Sequence, residues 1–371
     1  MAAPESSHLW GLDVSSFMVL IGENEEPSYR LSQRCLLQCV SGVPVAGLQN
    51  YIRSYDLLHG PGTSVYSYFS PYGCKSAPLR NILVTNAIKH AKLLEDERYT
   101  VFQIPSSTTT TPKPHVWKYR VLLFVWIALT WFLFAVIVVF SLLTPYTTWI
   151  GLANCVVLTG WSVLIRVVEY FNIRPAPIWE GNVNNPDGPD AVFIMGRSNS
   201  AVVLEGSRRD VKRWTSPELR YAARPLGIPA AAWQWFTRVG SALVLAFIFS
   251  SIPNGSTTDQ VAFIMLNVLG QVNVVVGQGL NSRWRLSELV MAEETREATR
   301  THVYARLLRR FKQVDEETGW VEVSGILPKT EVWEEWKREV VVQENVGPKK
   351  LYICIDEKVK EPRLEKNGFA C

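Results

Sequence analysis

Two ionisable side chains lie at the end of the second apolar stretch of the sequence. Charged groups within a transmembrane segment are costly, so each is a functional candidate by default. Arg166 and Glu169 could form an ion pair, or an acid and base pair, with Arg238 at the cytosolic mouth of the helices. Near the interface a long side chain reaches water at little cost. We therefore favour a structural role for them and keep catalysis by Arg166 and Glu169 as the alternative.

The fourth apolar stretch is unusually rich in amide side chains and glycines. These residues are Asn267, Gln271, Asn273 and Gln278, with Gly270, Gly277 and Gly279. Asn267 and Gln271 are four positions apart and share one face of a helix. Small residues let helices approach closely, and amides hydrogen-bond across such interfaces. We expect helix–helix contacts here; a pocket or ion path lined by Asn267 and Gln271 is the alternative.

Other chemical motifs are lacking in the sequence. The 5 histidines and 6 cysteines show no metal-ligand spacing, and no metalloprotease, phosphate-loop, hydrolase or dinucleotide-binding motif occurs. The net charge of +4 comes without a basic run that is interleaved with aromatic residues. The sequence thus predicts no metal site, no cofactor and no nucleic-acid partner.

Four nearly charge-free stretches dominate the middle of the chain. About 20 helical residues cross the roughly 30 Å hydrocarbon core of a bilayer. We therefore predict transmembrane helices at residues 121–143, 149–168, 230–252 and 260–280. Tight turns join them into two hairpins, residues 119–170 and 230–280. The predicted fold class is a membrane all-α bundle of four transmembrane helices with cytosolic α+β modules.

The polar remainder of the chain falls into four segments. They are an α+β module at 1–104, a Pro/Thr linker at 105–118, a middle segment at 171–229 and a tail at 281–371. Within the middle segment we predict a β-hairpin at 190–205 and a short helix from Arg208, capped by Ser207 and Asp210. Within the tail we predict a charged helix at 283–314, strands at 320–326 and 350–355, and a helix at 329–342.

The distribution of positive charge predicts the topology. Lys and Arg cluster before the first span, in the middle segment and at the start of the tail, whereas neither short turn contains any. By the positive-inside rule, both termini and all polar modules are cytosolic. Asn254 begins the sequon Asn-Gly-Ser on the opposite, lumenal side and is a candidate glycosylation site. The lipid bilayer is the predicted partner; endomembrane and plasma membrane are both open.

The stretch from Ala191 to Trp214 is the most distinctive of the chain. It reads Ala-Val-Phe-Ile-Met-Gly-Arg-Ser-Asn-Ser-Ala-Val-Val-Leu-Glu-Gly-Ser-Arg-Arg-Asp-Val-Lys-Arg-Trp. This stretch and the flanking spans resemble a group of uncharacterised fungal multi-pass membrane proteins, some encoded in secondary-metabolite gene clusters. The resemblance carries no catalytic residues. In the Gly196–Ser200 turn, Arg197 is a candidate contact for a phosphate or headgroup, although an ordinary hairpin turn is the simpler interpretation.

Three functional hypotheses follow from these observations. The favoured one is a non-catalytic scaffold or accessory role beside other membrane-associated proteins, in fungal secondary-metabolite biosynthesis. The first alternative is a membrane-embedded cyclase or isomerase acting on a lipophilic isoprenoid-type substrate, with aromatic walls such as Trp126, Trp131 and Trp161. The second is a channel or transporter subunit. The oligomeric state is open in all three.

Overall fold

The computed structural model describes residues 25–33, 35–53, 57–58, 66–95, 97–105, 114–144, 148–176, 185–343 and 346–367. Most of the predicted linker, residues 106–113, lies outside them. The chain forms two compact units. The helical unit comprises Met1–Thr63, Pro114–Ala176 and Glu218–Trp284, and the sheet unit comprises Ser64–Lys113, Pro177–Pro217 and Arg285–Cys371.

The described residues form fourteen α-helices and eight strands. The helices are α1 Glu26–Leu31, α2 Leu36–Cys39, α3 Leu48–Ile52, α4 Ile82–His90, α5 Pro114–Leu143, α6 Trp149–Asn172, α7 Arg208–Thr215, α8 Ala230–Ser251, α9 Thr257–Ser287, α10 Arg300–Arg310, α11 Lys312–Thr318, α12 Trp320–Ser324, α13 Glu331–Val342 and α14 Pro348–Asn367. The strands are β1 Ser67–Ser70, β2 Lys75–Pro78, β3 Arg98–Gln103, β4 Ile173–Pro175, β5 Pro189–Met195, β6 Ala201–Ser207, β7 Leu219–Tyr221 and β8 Val290–Arg296.

Four helices of the helical unit are long and apolar enough to cross a membrane. The candidate spans are Trp117–Leu143, Trp149–Asn172, Ala230–Asn254 and Thr257–Ser287. Large apolar side chains project outward from them, among them Phe132, Leu243 and Val275, each more than 60% exposed. A water-soluble monomer seldom exposes so many large apolar groups, so these faces suit a lipid environment. The four predicted spans coincide with these four helices.

The N-terminal part of the chain differs from the prediction. Residues 1–104 were expected to form one α+β module, but the described residues up to Leu58 belong to the helical unit and those from Tyr66 onward to the sheet unit. The short helices α1, α2 and α3 therefore pack with the long helices. We call residues 25–33 and 35–53 the inserted segment.

The sheet unit is built on a mixed sheet of six strands in the order β2-β1-β5-β6-β3-β8. β3 and β6 run parallel, and the other neighbours are antiparallel. Because side chains alternate along a strand, each face buries its own apolar set. Val101 and Val203 pack on one face against the tail helices, whereas Phe102 and Leu204 pack on the other against α4 and α7.

The predicted β-hairpin of the middle segment is present as β5 and β6, which pair in antiparallel register from Pro189–Ser207 to Met195–Ala201. The predicted helix follows as α7. The Ser207 hydroxyl oxygen accepts a hydrogen bond from the Asp210 backbone N–H at 3.2 Å and also donates to the Asp210 carboxylate at 2.7 Å. This is the expected cap of the first turn.

Three elements of the tail were predicted wrongly. The charged helix at 283–314 is interrupted by strand β8, which completes the sheet beside β3. The predicted strand at 320–326 is the helix α12, which lies between Gly319 and Gly325, both at φ 61° in the left-handed conformation that stops a helix. The predicted strand at 350–355 lies within helix α14.

Candidate functional site

Arg166 is a charged side chain in the core of the helical unit, and it is 0% exposed. Its guanidinium group does not reach toward water. It donates hydrogen bonds to the Ser41 hydroxyl at 3.0 Å and to the backbone carbonyls of Val43 and Pro44, both at 2.9 Å. All three acceptors belong to the inserted segment. Arg166 therefore holds the irregular stretch of that segment against α6.

Glu169 lies one turn further along α6 and is also paired with the inserted segment. Its Oε1 accepts a hydrogen bond from Arg30 Nη1 at 2.7 Å, and the Arg30 Nη2 donates to the Asn50 carbonyl at 3.2 Å. The Glu26 Oε1 lies 3.9 Å from Arg30 Nε and 3.7 Å from Arg166 Nη2. We call these four residues, Glu26, Arg30, Arg166 and Glu169, the charged cluster.

The charged cluster is electrically balanced, with two carboxylates and two guanidinium groups. Each member is at most 7% exposed. Removing charges from water costs several kcal/mol per ion, and only paired charges with good hydrogen bonds offset this cost. Each described hydrogen-bond and ion-pair partner of Arg166 and Glu169 comes from the inserted segment, so their buried charges are compensated by these contacts only while this segment is in place.

The inserted segment makes close contacts with the middle turns of the long helices. The Gly42 N–H donates to the Thr130 hydroxyl of α5 at 3.2 Å, and the Val45 N–H donates to the Ser162 hydroxyl of α6 at 2.9 Å. Trp131 Nε1 donates to the Val40 carbonyl at 2.7 Å. Non-helical backbone away from water is tolerated where other protein groups satisfy its hydrogen bonds, and these side chains do so.

The polar face of α9 also binds the inserted segment. Asn273 donates to the Tyr29 hydroxyl at 3.4 Å and accepts from Trp126 Nε1 at 2.9 Å. Gln278 donates to the Glu25 carbonyl at 2.8 Å, and Asn281 donates to the Ser32 hydroxyl at 3.2 Å. These amides therefore bind a segment between helices rather than a neighbouring long helix alone.

Two glycines of α9 are needed for this close approach. A Cβ on Gly277 would lie 2.3 Å from the Tyr29 ring, and one on Gly270 would lie 2.9 Å from the Pro44 carbonyl oxygen. Gly279, in contrast, has nothing within 4 Å of such a Cβ. The predicted role of small residues in close packing thus applies to Gly270 and Gly277, but their partner is the inserted segment.

The structure corrects the predicted grouping of the site residues. Arg238 is exposed, lies 5.7 Å from the ring of Trp235 and is not a partner of Arg166 or Glu169. Asn267 donates to the carbonyl of Phe263 in its own helix at 2.8 Å, and Gln271 is half-buried. Neither amide binds a member of the charged cluster. The ion pairs of α6 are instead made with Glu26 and Arg30.

The two remaining predicted positions are on the surface. Arg197 is exposed in the turn between β5 and β6, where the Gly196 N–H donates to the Ser200 carbonyl at 2.9 Å. Asn254 is exposed immediately after α8, and its side-chain amide donates to the Ser250 carbonyl at 2.9 Å. Phosphate binding at Arg197 and glycosylation of Asn254 stay predictions.

One polar contact of the helical unit was missed from the sequence. Asp259 is 4% exposed, and its carboxylate accepts hydrogen bonds from the backbone N–H and hydroxyl of Thr148 and of Ser256. It thus joins the turn before α6 to the turn before α9. The sequence offered one signal, because Ser256-x-x-Asp259 has the spacing of a capping box.

Comparisons of the chain with family models, with curated proteins and with solved structures found no match. Among the described residues, no group of three or more His, Cys, Asp or Glu side chains could hold a metal ion. The class of protein that these observations define is one with four helices able to span a membrane and a separate mixed-sheet unit.

Proposed function

We propose that the chain is a multi-pass integral membrane protein with a scaffold or accessory role. In this proposal the helical unit is a rigid membrane anchor, and the sheet unit is presented to other membrane-associated proteins. The observation that carries the proposal is that polar side chains of the long helices form hydrogen bonds with the inserted segment. Arg166, Glu169 and Asn273 all bind the inserted segment, as expected for groups that fix a fold.

The chain connections support a topology with the sheet unit and both termini in the cytosol. Stretches of the sheet unit precede α5, follow α6 and follow α9 in the chain. β4 follows α6 directly and pairs with β7, which lies shortly before α8. In two antiparallel hairpins these are the same ends of the four helices, and the Lys and Arg residues of the sequence concentrate there.

The alternatives require different surroundings for the same residues. A cyclase or isomerase needs an acid that contacts a lipophilic substrate, and a channel subunit needs polar groups at a pore or an interface between copies. Glu169 is 7% exposed and its carboxylate is bound by Arg30 at 2.7 Å. Asn267 is bound within its own helix. These contacts favour the scaffold over both alternatives.

The test is complementation of a gene deletion with a variant that lacks the candidate catalytic acid but keeps the balance of charge. The double variant Arg30→Gln/Glu169→Gln removes one positive and one negative charge, and two amides can hydrogen-bond in their place. A scaffold predicts that this variant restores the metabolite and lipid profile of the deletion strain whenever it is folded. An enzyme that uses Glu169 predicts no restoration by folded protein.

A second readout separates the hypotheses directly. Microsomes that contain this protein alone are incubated with any precursor that accumulates in the deletion strain. A scaffold converts none of it, whereas conversion by these microsomes would overturn the proposal. The resemblance to fungal proteins encoded beside secondary-metabolite genes motivates the choice of specialised metabolites in that profile.

A further inference from the structure

The sheet unit contains a polar cavity that the proposed function does not use. Its volume is about 590 Å³, within the range of small-molecule sites, which is roughly 300–1,000 Å³. Tyr99 of β3, Glu293 and Glu297 at β8, and His302, Arg306 and Arg309 of α10 line it. All of these residues belong to one compact unit.

The carboxylates of the cavity are already occupied by protein donors. Glu293 accepts hydrogen bonds from Arg306 Nη1 at 3.4 Å and from Arg310 Nη1 at 3.0 Å. Glu297 Oε1 accepts from Arg306 Nε at 3.1 Å and from the Thr295 hydroxyl at 3.0 Å. Both carboxylates of this wall are therefore paired with arginine, so a cationic ligand would have to compete with arginine.

Arg309 contributes a positive charge that is paired with no carboxylate of a described residue. Its Nε donates to the Val340 carbonyl at 3.0 Å and its Nη2 donates to the Gln343 carbonyl at 3.1 Å. These backbone acceptors fix the plane of the guanidinium group but carry no net charge. Among the residues that the structure describes, no carboxylate lies within 4.0 Å of Arg309. Its Nη1 remains for a ligand.

Tyr99 contributes a buried hydroxyl. The residue is 1% exposed, and its hydroxyl has no hydrogen-bond partner within the described part of the chain. A tyrosine phenol is already protonated at neutral pH, and burial raises the pKa of Tyr99 further, so this hydroxyl can donate. A buried hydroxyl without a partner costs free energy, and a ligand oxygen that displaces the groups covering this hydroxyl would remove that cost.

His302 supplies a further ring nitrogen. Its Nδ1 lies 2.6 Å from the Thr299 hydroxyl, which leaves Nε2 without a described partner. Within the described part of the chain, the cavity groups that lack partners thus include two donors, the Tyr99 hydroxyl and Arg309 Nη1, and no described carboxylate pairs with the charge of Arg309. The planar guanidinium group of arginine can donate two parallel hydrogen bonds to the oxygens of a phosphate group. A terminal phosphate has three such oxygens, whereas a carboxylate has two.

We propose that this cavity binds a small ligand through a phosphate group, with Arg309, His302 and Tyr99 as the contacting residues. The phosphate would come either from a soluble phosphomonoester or from a lipid headgroup. This proposal is independent of the scaffold function, because it concerns a site within the sheet unit and would hold if the helical unit proved catalytic.

The test is calorimetric titration of the purified full-length protein in detergent. The probes are inorganic phosphate, glycerol 3-phosphate and a water-soluble, short-chain phosphatidylinositol 4-phosphate, with sodium acetate as the carboxylate probe. We expect binding of at least one phosphate probe at submillimolar concentration and no binding of acetate at the same concentration. Tighter binding of the short-chain lipid than of glycerol 3-phosphate assigns the site to a headgroup, and the reverse assigns it to a soluble ligand.

Two variants and one control locate the site. Arg309→Gln should weaken phosphate binding at least tenfold, and Tyr99→Phe about threefold or more. The control Arg338→Gln removes an exposed arginine of α13 that does not line the cavity, and it should leave the affinity unchanged. Tyr99→Phe is nearly isosteric and keeps the test valid if Arg309→Gln fails to fold. Absence of phosphate binding, equal binding of acetate, or equal affinity in Tyr99→Phe and wild type would overturn the proposal.

Discussion

Arg30 and Glu169 form a buried ion pair, with 2.7 Å between Nη1 and Oε1, that joins two parts of the chain 139 positions apart. The ion pair connects α1 of the inserted segment to the last turn of α6. Together with Glu26 and Arg166 it leaves the charged cluster neutral. Loss of one member alone would therefore strand an uncompensated charge in the core, which is the costly case for buried ion pairs.

The first prediction is that Arg30→Met lowers the free energy of unfolding by about 3–5 kcal/mol, because Glu26 and Glu169 then share the single positive charge of Arg166. The double variant Arg30→Met/Glu169→Met should recover most of this loss, since the remaining Glu26 and Arg166 balance each other. The measurement is denaturant unfolding in detergent, monitored by tryptophan fluorescence, for the two single variants Arg30→Met and Glu169→Met and for the double variant.

An exposed pair in the same unit provides the control. Arg220 Nη2 lies 3.9 Å from Glu218 Oε2, and the two side chains are 69% and 50% exposed. Arg220→Met should cost less than about 1 kcal/mol, because solvent screens such a pair. If the double variant in the cluster loses the full sum of its two single variants, the residues are not coupled and the cluster does not act as a unit.

The second prediction concerns two glycines two positions apart in α9. In Gly277→Ala the new Cβ would meet the buried Tyr29 ring at 2.3 Å, so we expect a loss of about 1–3 kcal/mol in the free energy of unfolding. In Gly279→Ala nothing lies within 4 Å, and the higher helix propensity of alanine should stabilise by up to about 1 kcal/mol. Equal effects of the two variants would show that Tyr29 does not pack against this face.

The long helices and the hairpin were predictable because their signals are local. A charge-free run of about twenty residues has few alternatives to a membrane helix, and strands β5 and β6 are short, continuous apolar runs on either side of a short polar turn. The cap of α7 likewise depends on Ser207 and Asp210, which are three positions apart.

The partners of Arg166 and Glu169 were not predictable in this way. Their contacts in α1 and in residues 41–44 are more than 120 positions distant in the chain. The inserted segment also lacks a long apolar run that would mark it as part of the helical unit. The polar groups of its backbone are instead satisfied by side chains such as Thr130 and Ser162. Nothing in its composition distinguishes it from a soluble module.

Two errors in the tail have a common cause, which is that tertiary contacts override local propensity. Strand β8 has the sequence Val-Met-Ala-Glu-Glu-Thr-Arg, rich in helix formers, yet it pairs with β3 at the edge of the sheet. The helix α12 lies within residues 320–326, which were predicted as a strand. The left-handed Gly319 and Gly325 limit it to one short helix that buries Trp320 against Phe69 and Phe193.

The third prediction concerns the contact between the two short turns. Asp259→Ala removes the carboxylate that accepts from Thr148 and Ser256, and we expect a loss of about 1.5–3 kcal/mol in the free energy of unfolding, typical of hydrogen bonds to a charged group. Asp259→Asn keeps one acceptor oxygen and should lose less. The control is Gln260→Ala at the neighbouring half-buried position. A cost at Gln260 as large as at Asp259 would contradict the role assigned to the carboxylate.

The last prediction tests the topology by the accessibility of single cysteines. Cys354 is exposed in the sheet unit, and Thr257 is exposed as the first residue of α9, next to the turn that joins α8 to α9. In sealed microsomes, whose cytosolic face is outside, an impermeant maleimide should label a variant that retains only Cys354. A Thr257→Cys variant without other cysteines should be labelled only after detergent is added, because the positive-inside rule places this turn in the lumen. Labelling of both variants in sealed microsomes would contradict four spans with cytosolic ends. Labelling of Thr257→Cys alone would invert the topology, and the sheet unit would then face the lumen.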